Sequence, residues 1–485
     1  MTDARLDWLG TEMGRHVGEV AELVRFPTVA SDPANAQVML DAGKWLTDKL
    51  TAIGMDNATV HPAGGYPVVT AEWMHAPGQP TVLLYGHFDV QPAKAELWDT
   101  PPFEPQVING TLTGRGAIDC KGALMMGVTA IEAMMAVDGS LPVNVKLFLE
   151  GQEELGSPTL LPWVGDHAEW LGVDYAYSMD AMMQSDDQGL MWRGLKGATL
   201  ASFTLTGANQ AVHSGIYGGT VPNAAVAAAE IVASFHCDDG SVAVEGFYDD
   251  VDEITEADRA EIALLPFDPN ALARDFGLDA LVGEEGYDPQ LIRFLRPTLE
   301  VTGIDAGIHG VGAVVPNVAK VWITSRLVTS QHATKIGELI ERHVRDRLPE
   351  GITVEYEARP ITPGIKYSDD DPAFQIAREV LTDVFGQPPA IGYVGGGVPV
   401  LAYMRGLVGR DLVTFGFQRE DENFHAPNEY MRLSDFTLGQ GAYIKLLEAH
   451  RNQPLRPAEP AFDLTDTGEF VPHEPESRAG GHHGF

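Results

Sequence analysis

Three short apolar runs in this chain each end in acids or histidine. Residues 81–85 (TVLLY) lead into Gly86-His87-Phe88-Asp89. Residues 143–149 (VNVKLFL) lead into Glu150-Gly151-Gln152-Glu153-Glu154, and residues 173–178 into Met179-Asp180. Between the first two lies a Gly-punctuated turn, GRGAIDCKG at 114–122, which carries Asp119 just ahead of a helix. A late loop at 422–427 adds an isolated histidine, His425. Imidazoles and carboxylates converging on one crevice are the donors that divalent ions such as zinc take. Burying several acids without a cation would cost many kcal/mol or force protonation. A metal ion, or a pair of them, resolves that cost, and two ions ~3.5–4 Å apart can bridge a water, lower its pKa and stabilise a tetrahedral oxyanion. A carboxylate outside the ligand set must then take the water's proton, and adjacent Glu153 and Glu154 offer one ligand and one base. His-x-Asp and Glu-Glu are common by chance, so the order and strand-end placement of all the pieces carry the argument. The 114–122 turn lacks the Lys-Ser/Thr ending of a phosphate-binding loop, which excludes that nucleotide site.

The elements that must position these residues follow from the pattern. Residues 4–25 read as an amphipathic helix, and Ser31-Asp32-Pro33 starts another that runs to about residue 53. The apolar runs at 81–85, 143–149 and 173–178 read as buried strands, and the Ala- and Met-rich stretch 122–137 as a helix. Strands alternating with helices predict a largely parallel sheet covered on both faces, with ligands beyond the carboxyl ends of the strands. The texture changes near residue 197. Strands at 198–206, 300–303, 319–328 and 352–357 with helices at 221–235 and 331–348 predict a small α+β sandwich, interrupted by an acidic, irregular, helical insertion. Residues 373–385 and 433–450 are helical again around a strand at 412–415. The Pro-rich acidic end, closing on AGGHHGF, reads as a disordered tail whose His482 and His483 are solvated.

Composition narrows the function further. Hydrophobic residues make up 44% of the 485, enough for a packed core, so wholesale disorder is excluded. A net charge of −37 argues against a nucleic-acid partner and against anionic membranes. Two cysteines, Cys120 and Cys237, make no disulfide framework and suit a reducing cytoplasm. Neither an apolar signal segment nor a run of ~20 apolar residues is visible, so the expectation is a soluble cytoplasmic protein.

Six motifs in order make the chain resemble the M20 (glutamate carboxypeptidase-like) di-zinc metallopeptidases, especially the dipeptidase branch with carnosinases and cytosolic non-specific dipeptidase. They are GHFDVQP at 86–92, W…PPFEP at 98–105, GRGAIDCKG at 114–122, EGQEELGS at 150–157, HSG at 213–215 and FHAPNE at 424–429. The resemblance spans about residues 15–450. It implies an α/β catalytic domain with a mostly parallel sheet and helices on both faces, carrying an inserted ferredoxin-like α+β lid or dimerisation domain. The expected boundaries are 1–196 and 366–455 for the catalytic domain, 197–365 for the lid with its acidic insertion at about 238–295, and 456–485 for the tail. Carried over residue by residue, His87 and Asp180 hold one metal, Glu154 and His425 the other, and Asp119 bridges both. Asp89 accepts a hydrogen bond from His87 and fixes its tautomer. Glu153 is the general base and then the acid to the leaving amine. His213 of the lid reaches the partner subunit's site in a homodimer and steadies the oxyanion. Arg326 clamps the substrate carboxylate. His309 lies in a Gly-rich lid segment whose role the resemblance leaves open. The bond after the bridging acid is cis in relatives, so Asp119–Cys120 is expected to be cis.

Some positions depart from the family pattern. The dipeptidase branch commonly has Arg-Glu-Gly-Gly-Ser-Ile-Pro where this chain has Tyr393-Val394-Gly395-Gly396-Gly397-Val398-Pro399. Gly397 replaces the serine that binds the terminal carboxylate, although Gly396 and Gly397 leave backbone N–H groups able to do so. Cys120 replaces an Asp, as either a small buried hydrophobe or a metal-proximal thiol. The leading reading is a di-metal hydrolase cleaving dipeptides or similar small amides with a free carboxylate, through a metal-bridging hydroxide. The ions are two zinc, with manganese or cobalt as alternatives. An N-acyl or N-carbamoyl amino-acid amidohydrolase on the same scaffold is the nearer rival, and a non-catalytic binding protein the remote one.

Overall fold

The computed structural model describes residues 3–265, 267–307, 312–395 and 398–457. His309, Gly396, Gly397, His482 and His483, and all but two residues of the expected 456–485 tail, lie outside the described residues. Among the described residues the chain divides into two compact units, the first over 3–183 and 403–457, the second over 184–402.

The first unit is built on a six-stranded sheet. Its strand order is Asp56–His61, Val68–Trp73, Asn144–Glu150, Thr81–His87, Tyr175–Ser178, Leu412–Thr414. The last four run parallel to one another, and Val68–Trp73 pairs antiparallel with both its neighbours at one side, so the mostly parallel sheet is borne out. Asn144–Glu150 is buried along its whole length, as a strand covered on both faces must be. The covering can be followed through alternating side chains. On one face, the Lys121–Asp138 helix packs close to Leu84, where a side-chain carbon on Gly127 would fall 2.5 Å from Met179 Sδ. On the other, Tyr85 meets Phe148 edge-on, and Phe148 stacks on Trp163 of the Leu160–Asp166 helix. The Lys121–Asp138 helix is apolar nearly all round because the Ala4–Val24 and Leu433–Ala449 helices bury its remaining sides.

Register puts the chemistry at one edge. His87 lies opposite Glu150, and Tyr85 opposite Ser178, so three strands finish side by side at their carboxyl ends.

His450, just past the Leu433–Ala449 helix, is fully buried. Its Nδ1 donates to the Leu446 carbonyl at 2.7 Å and its Nε2 accepts from the Tyr177 hydroxyl at 3.0 Å, a pairing only the neutral ring makes. Burial lowers its pKa to about 4 against the opposing pull of the Leu446 carbonyl. A folded value below the unfolded one means the unfolded chain binds the extra proton first. This contribution to stability is therefore complete above pH ~6.5 and drains as pH falls towards 4, by up to about 3 kcal/mol. Urea unfolding of the chelated chain at pH 7.5 and 4.5 should show His450→Gln losing less stability than the wild type by about 2–3 kcal/mol. Equal losses would remove His450 from the acid response.

The second unit holds a four-stranded antiparallel sheet in the order Thr298–Ala306, Val318–Leu327, Gly197–Thr206, Thr353–Thr362. Its buried residues, among them Phe203, Leu205, Val321 and Ile323, pack with Ala228 and Ile231 of the Ala224–Ala233 helix and Ile336 and Ile340 of the Ala333–Arg345 helix. A smaller sheet pairs Gln188–Leu195 with Ala390–Val394 and Ile365–Lys366. The acidic stretch forms three short helices, Glu256–Ala263, Pro269–Asp275 and Pro289–Leu295. No helix among the described residues is long and apolar enough to cross a membrane.

Candidate metal centre

Five of the sequence-selected side chains meet beyond the sheet edge of the first unit. His87 ends its strand with Nε2 3.1 Å from Asp119 Oδ1 and 3.6 Å from Asp180 Oδ2. His425 Nε2 lies 3.0 Å from Asp119 Oδ2 and 3.0 Å from Glu154 Oε2. Asp119 thus turns one oxygen to each histidine. Two sets of donors result, each drawn together within 4.8 Å: His87, Cys120 and Asp180, and Asp119, Glu154 and His425.

Local structure explains how each arrives. Gly116 sits in the left-handed region (φ 86°), and a side-chain carbon there would fall 2.7 Å from Val90 Cγ1, so the 114–119 turn can tighten only with glycine. The Asp119–Cys120 peptide bond is cis, as expected. Glu153 and Glu154 open a short 3₁₀ turn, Glu153–Leu155. Asp89 holds that turn, its two oxygens accepting the Glu153 N–H at 3.1 Å and the Glu154 N–H at 3.0 Å. His87 Nδ1 faces the same residue, 3.2 Å from the Asp89 carbonyl oxygen and 3.4 Å from its carboxylate. Asp89 therefore ties the glutamate turn to the histidine strand, as well as lying against the imidazole. Tyr85 and Ser157 donate hydroxyls to the buried Glu150 carboxylate at 2.5 and 2.9 Å, fixing the two ends of the same turn.

The electrostatics of this cluster call for cations. Burial raises the Glu153 pKa well above its ordinary value, and the neighbouring Asp180, Glu154 and Asp89 add to the rise against the pull of His87. Asp180 is pushed up to about 6, by burial first and then by Asp119 and Glu154. Hydrogen bonds to Asp119 and Glu154 raise His425 to about 10. Burial works against a charge on His87, yet Cys120, Asp119, Asp89 and Asp180 together carry it well above 6.5. Protons on the two imidazoles thus stand where divalent ions would, and metal binding would displace them. Two donor sets, with the Asp119 carboxylate reaching a histidine of each and a further carboxylate beside them, fit a pair of divalent ions. A third group, His16 with Glu19 and Glu132, is already neutralised by Lys49 at 2.8 and 2.7 Å and by Arg15 at 2.7 and 3.0 Å. It reads as an ion-pair network between helices.

Sequence reasoning missed the outer partners. Gln418 Nε2 donates to Asp180 Oδ1 at 2.9 Å, and Gln91 Nε2 to Glu154 Oε2 at 2.8 Å. Gln91 stands inside the GHFDVQP motif and was open to suspicion, whereas nothing in the sequence marks Gln418. Cys120 is fully buried beside His87, and burial raises its thiol pKa.

Two sequence-selected residues belong to the second unit. His213 is exposed, and its Nδ1 accepts the Gly215 N–H at 3.1 Å, which leaves the ring proton on Nε2. Arg326 is half-buried on the Val318–Leu327 strand, where its backbone pairs with Ala198 and Thr298 and its guanidinium makes no hydrogen bond or ion pair among the described residues.

The chain is also similar to known proteins. The sequence pattern of peptidase family M20/M25/M40 matches residues 83–449. The Cys-Gly metallodipeptidase DUG1 of Saccharomyces cerevisiae is 24% identical over 90% of this chain and 95% of its own. The human Beta-Ala-His dipeptidase is 26% identical over 75% of this chain and 73% of its own. Among solved structures, the M20 metallo-carboxypeptidase Sso-CP2 of Sulfolobus solfataricus superposes with a TM-score of 0.77 at 26% identity, covering 90% of this chain and 99% of that one. The motif order had pointed to the same group, and the chain belongs to peptidase family M20/M25/M40, a family of hydrolases that cleave peptide bonds.

Proposed function

We propose that this enzyme is a di-metal dipeptidase that hydrolyses dipeptides or similar small amides bearing a free carboxylate. The observation that carries the reading is the pair of donor sets joined through Asp119, with Glu153 beside them and outside both. His87 and Asp180 would hold one ion, Glu154 and His425 the other, and Asp119 both. Zinc suits this donor set, with manganese or cobalt as alternatives. When bound, the ions would supply Lewis-acid polarisation of the scissile carbonyl and acidify water.

The chain's own residues do the rest. Glu153 takes a proton from the attacking water as the carbon–oxygen bond forms. It returns that proton to the amine nitrogen as the carbon–nitrogen bond breaks. Arg326, without an ion-pair partner of its own among the described residues, is free to receive a carboxylate through two parallel N–H bonds. His213 keeps an Nε2–H to donate, and in a homodimer it would serve the site of a second copy. Relatives named for Cys-Gly and Beta-Ala-His cleavage support dipeptides as the substrate class.

The test is a panel assay of the zinc-, manganese- and cobalt-loaded protein with a chelator control. Dipeptides of the Ala-Ala, Cys-Gly and β-Ala-His kinds should release free amino acids, and chelation should stop it. Turnover of N-acetyl or N-carbamoyl amino acids alone would overturn the dipeptidase assignment and make the protein an amidohydrolase.

A further inference from the structure

Glu429 lies four residues after His425 and is fully buried. Both its carboxylate oxygens are committed to one distant segment. Oε1 accepts the N–H groups of Ile118 and Asp119, each at 3.1 Å. Oε2 accepts the Gly116 N–H at 3.0 Å and Arg115 Nη1 at 2.6 Å. The Glu429 main-chain carbonyl accepts the Gly114 N–H at 2.9 Å. Arg115 returns the tie, donating Nη2 to the Ala426 carbonyl at 3.3 Å. The 114–119 turn is thus folded around one carboxylate from the loop that bears His425.

We infer that Glu429 is a positioning residue that locks the Asp119 turn to the His425 loop, so that the two side chains face each other before any ion binds. The inference rests on the proposed reading of Asp119 and His425 as ligands. Neither residue lies in a helix or strand, and the two segments are some 310 positions apart in the chain. Asn423, His425 and Asn428 all adopt left-handed backbone (φ 56°, 60° and 61°). Such conformations are unfavourable for residues that carry a side-chain carbon and persist only where surroundings over-determine them. The Glu429 clamp supplies that constraint next to them. A carboxylate is the group the place demands, because four donors converge on it. Glutamine there would offer a single acceptor oxygen and aim an NH₂ at donors.

The experiment is zinc titration of the chelated chain against a chromophoric chelator, beside thermal unfolding of the metal-free form. Glu429→Gln should weaken zinc binding about 10–100-fold, the usual worth of an outer partner. Leu46→Ala, a core change in the Ala36–Ala52 helix, should lower Tm yet leave zinc affinity within about two-fold. That control separates lost positioning from lost stability. Wild-type zinc affinity in Glu429→Gln would overturn the inference, whatever happens to activity. A wild-type chain that takes up no zinc would overturn the ligand reading itself, and the inference with it. Should Glu429→Gln fail to fold, Arg115→Lys keeps the charge and breaks the Ala426 contact. It should weaken zinc binding by about 10-fold, and unchanged affinity there would equally overturn the inference.

Discussion

Glu153→Gln is expected to lower kcat by about 10³-fold while both ions stay bound. Glutamine keeps the shape of the side chain and removes its capacity to accept and return a proton. The Glu153 N–H bond to Asp89 belongs to the backbone and survives, so the turn that presents Glu154 should keep its place. Glu153 belongs to neither donor set, so metal content measured by mass spectrometry should stay at the wild-type value. KM should change little, since a proton shuttle is used in the transition state and not in ground-state binding. The placement suits the task. Burial with Asp180, Glu154 and Asp89 around it raises the carboxyl's affinity for a proton, and a group that must both take and surrender one works best near the operating pH. Loss of an ion in this variant would assign Glu153 to the ligands instead. Full activity would leave the proton transfer to another residue.

What the sequence displayed of this site depended on where each residue stands. His87, Asp180 and the Glu153–Glu154 pair follow apolar runs that could only be buried strands, and open parallel sheets gather ligands at that edge. Their convergence was readable from pattern and order alone. His425 was not readable in that way, since its loop is irregular and held by left-handed residues with no periodic signal. It stood out only as an isolated histidine in a late loop, and its place in the FHAPNE motif was what tied it to the others. Gln418 and Glu429 were harder still. Gln418 partners a side chain 238 residues away, Glu429 a set of backbone N–H groups and the Arg115 guanidinium, and neither leaves a spacing in the chain.

The fold shows the same division. Residues 81–85 and 143–149 declared themselves by uninterrupted hydrophobicity, and the observed strands extend them to His87 and Glu150. Asp56–His61, the partly exposed edge strand of the first sheet, offered no comparable run and went unread. In the second unit, Thr353–Thr362 outruns the predicted 352–357 because its partner, Gly197–Thr206, provides ladder bonds along its whole length. Tertiary pairing set that boundary, not local propensity.

Asp119→Asn should cost the protein both ions, and His425→Ala only one. The distinction follows from geometry. His425 faces Asp119 Oδ2 and Glu154 alone, whereas Asp119 also turns Oδ1 to His87. Losing His425 leaves His87, Asp180 and one Asp119 oxygen to hold an ion. Losing the Asp119 charge removes the shared anion and puts an NH₂ group, which cannot ligate, at one of the two positions. The effect should exceed the about 10–100-fold that an outer partner is worth, because the carboxylate itself is the donor. Dialysis against metal-free buffer followed by mass-spectrometric metal analysis reads the result directly. The expected series is two ions in the wild type, one in His425→Ala and none in Asp119→Asn. Two ions retained in Asp119→Asn would reject the bridging assignment. Equal loss in the two variants would mean that the ions bind only as a pair, and that the two donor sets act as one site.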